Sequence, residues 1–140
     1  MNTYNYDDKS FVNSSVFQEF MMEHPARGFL KIRAYAASGA IPVQGLRVFI
    51  STKIGGNDFI FFEGVTNESG IIDHISLPAF KLDDNNLDVP NKTVYDIRAV
   101  YDKTNMDLLY QVNIYENVYV IQNISVVPDM NLGMGNFNGS

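Results

Sequence analysis

From Gly28 onward the chain alternates. Leu30, Ile32 and Ala34 share one parity, while Phe29, Lys31 and Arg33 share the other. On a pleated strand that pattern turns one set toward a core and the other outward. It returns with Leu46, Val48 and Ile50 set against Arg47, Phe49 and Ser51. Apolar runs with strand character follow over Phe59–Val65, Ile71–Leu77, Thr93–Tyr101, Leu108–Ile114 and Val118–Val127. Turn chemistry separates them: Ala37–Pro42, Gly55-Gly56-Asn57-Asp58, Asn67-Glu68-Ser69-Gly70 and Tyr115-Glu116-Asn117. Glycine and asparagine reach positive φ cheaply, and Pro78 ends a pairing run because it has no donor. Short strands at roughly 8–12-residue spacing predict an all-β, seven-strand antiparallel β-sandwich.

Before this region the period is helical. Val16, Phe17, Phe20 and Met21 recur at i, i+1, i+4 and i+5, and Ser15 followed by Gln18 resembles a capping box. Pro25 stops the run, so the pattern predicts a short N-terminal helix over Ser15–Glu23. Residues 1–12 are polar and acidic around scattered tyrosines and are expected to lack fixed structure. The organisation expected is an N-terminal extension over 1–27, a sandwich over 28–128 and a flexible Gly/Asn-rich tail over 129–140. The polar stretch Lys81–Lys92 is long for a connection in a compact domain, which marks it as functional or mobile.

Composition narrows the chemistry. The 140 residues suit one domain with a short appendage, and no window is apolar enough to span a membrane. The polar, acidic start offers no basic and apolar regions of a Sec signal, and the compartment is left open. With Lys and Arg dispersed and a net charge of −6, a nucleic-acid partner is not expected. The chain has no cysteine, hence no disulfide and no thiolate nucleophile or metal ligand. Its two histidines, His24 and His74, read as a helix-end cation and a surface strand residue, not as metal ligands. Asp83-Asp84-Asn85-Asn86-Leu87-Asp88 lacks the glycine and third ligand of a calcium loop and reads as solvated. No P-loop, dinucleotide fingerprint or G-x-S-x-G elbow occurs, and no cofactor is expected.

Two sets of residues stand out as candidate contact surfaces. Phe17, Phe20 and Met21 form an apolar helix stripe that could dock a protein partner or a second copy. Tyr95, Tyr101, Tyr110, Tyr115 and Tyr119 cluster in the last three strands and could form a platform on which sugars stack.

The ordered segments GFLKIRAY, IPVQGLRVFI, TNESG, LPA and YDIRA resemble prealbumin-like (transthyretin-like) domains, a group that includes carboxypeptidase regulatory-like domains. A closer likeness is to the small β-sandwich domain of clostridial-type spore cortex-lytic proteins, where ISLPAFKL, a polar loop, TVYDIRAV and QVNIYENVYVIQNISVVP run in the same order. The position where those relatives turn on Gly-Phe or Gly-Tyr reads Asp-Lys-Thr-Asn here, and no lytic domain follows Pro128. The resemblance implies a non-catalytic protein-interaction or assembly module, with spore association as its setting. A peptidoglycan-binding module, or a structural subunit of a phage or surface appendage, is the alternative. The fold also hosts hydroxyisourate hydrolases, but their closing Tyr-Arg-Gly-Ser signature has no counterpart in Asn136–Ser140. The expectation is therefore that the chain is not an enzyme.

Overall fold

The computed structural model describes residues 2–82 and 91–126. The long strands β2 (Ala26–Ala36), β4 (Arg47–Ile54), β5 (Asn57–Val65), β6 (Ile71–Ala79), β7 (Thr93–Tyr101), β8 (Met106–Ile114) and β9 (Tyr119–Ser125) are the seven that the alternation predicts. Two-residue strands β1 (Thr3–Tyr4) and β3 (Ile41–Pro42) and helices α1 (Lys9–Val12) and α2 (Ser15–Glu23) complete the set. One sheet runs β1-β5-β4-β7-β8; in the other, β2 pairs with β9 along one edge and with β6, followed by the short β3, along the other.

The inward parity of each strand supplies the core. Leu30, Ile32, Val48, Ile50, Ile75, Leu77, Ile97, Ile114 and Ile124 are essentially inaccessible and pack as one cluster between the sheets. Each large side chain so buried contributes on the order of 1.5–3 kcal/mol against leaving it in water. A β-bulge lies in β5, where Ile50 pairs with Phe62 but Ser51 pairs with Ile60. The unmatched Phe61 lets Phe62 turn back to the core, while Asp58 and Ile60 face outward.

The sandwich expectation holds, but its pairing is not wholly antiparallel. β9 runs parallel to β2 over seven residue pairs, Phe29↔Tyr119 to Tyr35↔Ser125, and β1 runs parallel to β5. Alternation reports which face a residue takes and is blind to strand direction, so it cannot distinguish the two ladders.

The N-terminal residues are ordered, contrary to expectation. Tyr4 stacks on Phe11 at 4.4 Å, and Tyr6 meets Phe59 edge-on at 5.2 Å. Phe11, Phe17, Ile54 and Phe59 form a second buried cluster, with Phe20, Met21 and Phe61 packed against it. An acidic composition signals disorder only when aromatic residues find nothing to bury against, and here they close one end of the sandwich. The helix cap is also shifted by one. Ser14 is the N-cap and accepts the Phe17 N–H, while Gln18 donates to the Val12 carbonyl.

Candidate functional site

The outer face of the five-stranded sheet is a groove of about 690 Å³. Register alone builds it. One row across the sheet is Ile60, Ser51, Asp96 and Gln111; a second joins Phe49, Arg98 and Leu109; a third joins Thr3, Asp58 and Lys53. Neighbouring strands lie about 4.8 Å apart and same-face residues about 6.8 Å apart along a strand, so these side chains share one surface.

Opposite charges hold it in shape. Lys53 Nζ lies 2.7 Å from Asp58 Oδ1 at one end. At the other, Arg98 grips Asp107 with two bonds, Nε to Oδ1 at 3.0 Å and Nη2 to Oδ2 at 2.7 Å. That charge-assisted fork raises the Arg98 pKa and holds the Asp107 carboxyl below the usual carboxylate range. In the middle, Gln111 Nε2 donates to Asp96 Oδ1 at 3.1 Å, and both residues line the groove. Phe49, Ile60 and the largely exposed Leu109 supply apolar surface beside these groups. The arrangement offers a base, two cations and a hydroxyl around a partly apolar bed, all mounted on strands.

The residues singled out in the sequence lie elsewhere, except one. Phe17 is 3% exposed, and Phe20 and Met21 are half-buried against its cluster, so the stripe covers Phe59 and Phe61. The five tyrosines do not converge. Tyr95 is fully buried, and its hydroxyl donates to the Pro78 carbonyl at 2.6 Å. Tyr110 borders the groove; Tyr101 borders a separate cleft with Gln44 and Lys103; Tyr119 stands on the opposite sheet, stacked on Phe29. Tyr115 is half-buried in the turn before β9.

His24 is not a solvated helix-end cation. The residue is 6% exposed, its ring stacked on Phe20 at 3.9 Å and against Phe80 at 4.1 Å, with Nδ1 2.7 Å from the Phe20 carbonyl. Burial lowers its pKa, against smaller opposing effects of the Phe20 carbonyl and Glu23. His74 is exposed at a bulge in β6 with φ 59, where its N–H donates to Asp73 Oδ1. The Asp83–Asp88 loop lies outside the described residues. Among the described residues no cluster of His, Asp and Glu could hold a metal ion, and no helix is long and apolar enough to cross a membrane.

Sequence reasoning passed over the groove. Ser51, Lys53, Asp58, Asp96, Arg98 and Gln111 sit at outward parity on four strands, where polar residues are the ordinary solvated face. Only cross-strand register brings them together.

Comparison with solved structures agrees with this architecture. The chain superposes on the 5-hydroxyisourate hydrolase of Klebsiella pneumoniae with a TM-score of 0.51 and 17% identity, covering 72% of this chain and 90% of that one. It superposes on (S)-allantoin synthase with a TM-score of 0.51 and 14% identity, covering 76% of this chain but only 42% of the synthase. The fold is the transthyretin-like sandwich. No protein-family model matches the sequence, and no curated protein matches it. At these identities the likeness concerns the fold, and it lends no support to the closer spore cortex-lytic resemblance. It does overturn the step from fold to a non-catalytic module, because both of these transthyretin-like neighbours are named as enzymes.

Proposed function

We propose that the chain is an enzyme of hydrolytic type acting in the groove over β4, β7 and β8, on a small organic molecule with a flat, partly apolar body and a carbonyl group. The observation that carries this reading is the placement of Asp96. Its Oδ1 is held by Gln111, Ser51 lies directly across the ladder, and a cation stands toward each end of the groove. Asp96 Oδ2 takes a proton from a water as the water oxygen bonds to the carbonyl carbon. Arg98 and Lys53 favour the negative charge that develops on the carbonyl oxygen. The bond to the leaving nitrogen or oxygen then breaks, and that atom receives the proton from Asp96. Gln111 is a positioning residue, and Phe49, Ile60 and Leu109 take the apolar body.

Two features support the reading. A groove of this size, lined by apolar residues with a few convergent polar groups, is what small-molecule sites present. Both structural neighbours bear enzyme names, one of them a hydrolase.

The test is a turnover screen with small esters, lactones and cyclic amides, including 5-hydroxyisourate, on the full chain and on Asp96→Asn. A substrate should emerge whose turnover falls by about 10²–10⁴-fold in the variant, the usual contribution of a general base. The outward-facing position leaves the fold intact, checked by an unchanged denaturation midpoint. Turnover that survives Asp96→Asn undiminished overturns the assignment. So does a panel that yields neither turnover nor perturbed backbone amide signals at Ser51, Asp96 and Gln111.

A further inference from the structure

The opposite sheet presents a second surface, different in kind. Outward parity on β2 reads Arg27, Phe29, Lys31, Arg33 and Tyr35, three cations and two aromatic rings along one strand. β9 lies beside it in parallel register and adds Tyr119 opposite Phe29 and Ile121 opposite Lys31. Phe29 and Tyr119 stack at 4.7 Å, and Tyr119 and Ile121 are 69% and 54% exposed. Arg27 is tied down, donating to the Ser76 hydroxyl and carbonyl. Lys31 and Arg33 form no ion pair among the described residues. Asp73, at the neighbouring β6 bulge, is the acidic group nearest in register, and its Oδ1 is engaged by the His74 N–H. In a chain of net charge −6, a face with two uncompensated cations beside stacked rings is set up to attract negative charge.

The same face ends on an open edge. Phe29 N–H donates to the Val118 carbonyl and Val126 N–H to the Tyr35 carbonyl, so even-numbered residues of this strand turn their backbone groups toward β2. Odd-numbered residues, Tyr119 and Ile121 among them, turn theirs away. Among the described residues no strand pairs with that side of β9.

We infer that the β9 edge takes up an extended acidic peptide bearing aromatic side chains. The peptide adds as a strand beside β9, its carboxylates meeting Lys31 and Arg33 and its rings packing on Tyr119 and Ile121. Main-chain pairing supplies affinity and the charge pattern supplies selection, the division of labour of strand addition. A single-stranded nucleic acid or a polyphosphate could use the cations, but neither has a peptide backbone to match a strand edge. The surface lies on the other side of the core from the groove, so the fate of either proposal leaves the other standing.

The experiment uses the full chain and a fluorescent peptide of about 12 alternating glutamate and tyrosine residues, a length that spans one strand with a margin. The controls are the corresponding lysine–tyrosine peptide and an oligothymidylate of similar length. Fluorescence anisotropy should show the acidic peptide bound, weakening as salt rises, and neither control bound. The double charge reversal Lys31→Glu, Arg33→Glu should weaken binding by at least about 10-fold. Independently of any variant, the peptide should protect the amides of Tyr119 and Ile121 from hydrogen exchange in the unmodified chain. Failure of the acidic peptide to bind at low salt overturns the inference. Binding without protection at β9, or preferential binding of the oligothymidylate, overturns it equally.

Discussion

At the scale of single residues, burial decides more than residue type. Tyr95 and Tyr119 are both strand tyrosines, yet one is sealed in the core and the other stands in solvent. Burial raises the Tyr95 phenol pKa far above its ordinary value of 10.0, and its hydroxyl is committed to the Pro78 carbonyl. The neutral form is favoured in the folded chain. Its stabilising contribution is therefore whole below pH 10.0 and is lost as pH climbs above that value toward the raised folded pKa. Tyr95→Phe removes the buried donor, and the expected cost is about 1–3 kcal/mol, read as a lower urea midpoint at unchanged slope. A midpoint equal to that of the parent chain would show the bond to be without net value. The sequence placed Tyr95 among exposed stacking candidates because composition cannot separate a half-buried strand face from a buried one. Its inward parity, shared with Ile97 and Ala99, was the available signal.

The N-terminal helix shows the same logic at the scale of an element. Helix propensity and an apolar stripe made α2 legible to the residue, including its stop before Pro25. What the stripe covers was not legible, because Phe59 and Phe61 lie far along the chain and only the fold brings them beneath Phe17. His24, at the C-cap, closes the contact by stacking between Phe20 and Phe80. Its folded pKa is depressed below 6.5, so the docked helix favours the neutral ring. That stabilisation is fully present above pH 6.5 and is lost as pH falls toward the depressed folded value. Mild acidification is thus expected to speed hydrogen exchange in α2 before it affects β2 or β7. His24→Phe should abolish that pH dependence while keeping the stack; equal acid sensitivity in parent and variant would remove His24 as its origin.

For the whole molecule, the sandwich carries two outer faces that differ in charge and shape, separated by a close-packed core about 10 Å thick. One holds balanced ion pairs around Asp96; the other holds Lys31 and Arg33 beside stacked rings. The acidic peptide and the groove's substrate should therefore bind together, each leaving the other's affinity unchanged within about 3-fold, as titrations of one against saturating amounts of the other would record. Mutual exclusion would place both ligands on one face. The strands, the helix and the inward sets Leu30-Ile32-Ala34 and Leu46-Val48-Ile50 followed from sequence by itself, because pleat and helical pitch project a local pattern onto a face. Tertiary structure decided the parallel β2–β9 ladder, the burial of the N-terminal aromatics, and the meeting of Ser51, Asp96 and Gln111. Those outcomes depend on register between residues tens of positions apart, and on which surface an exposed stripe finds to cover. Neither is encoded within the span of any one strand.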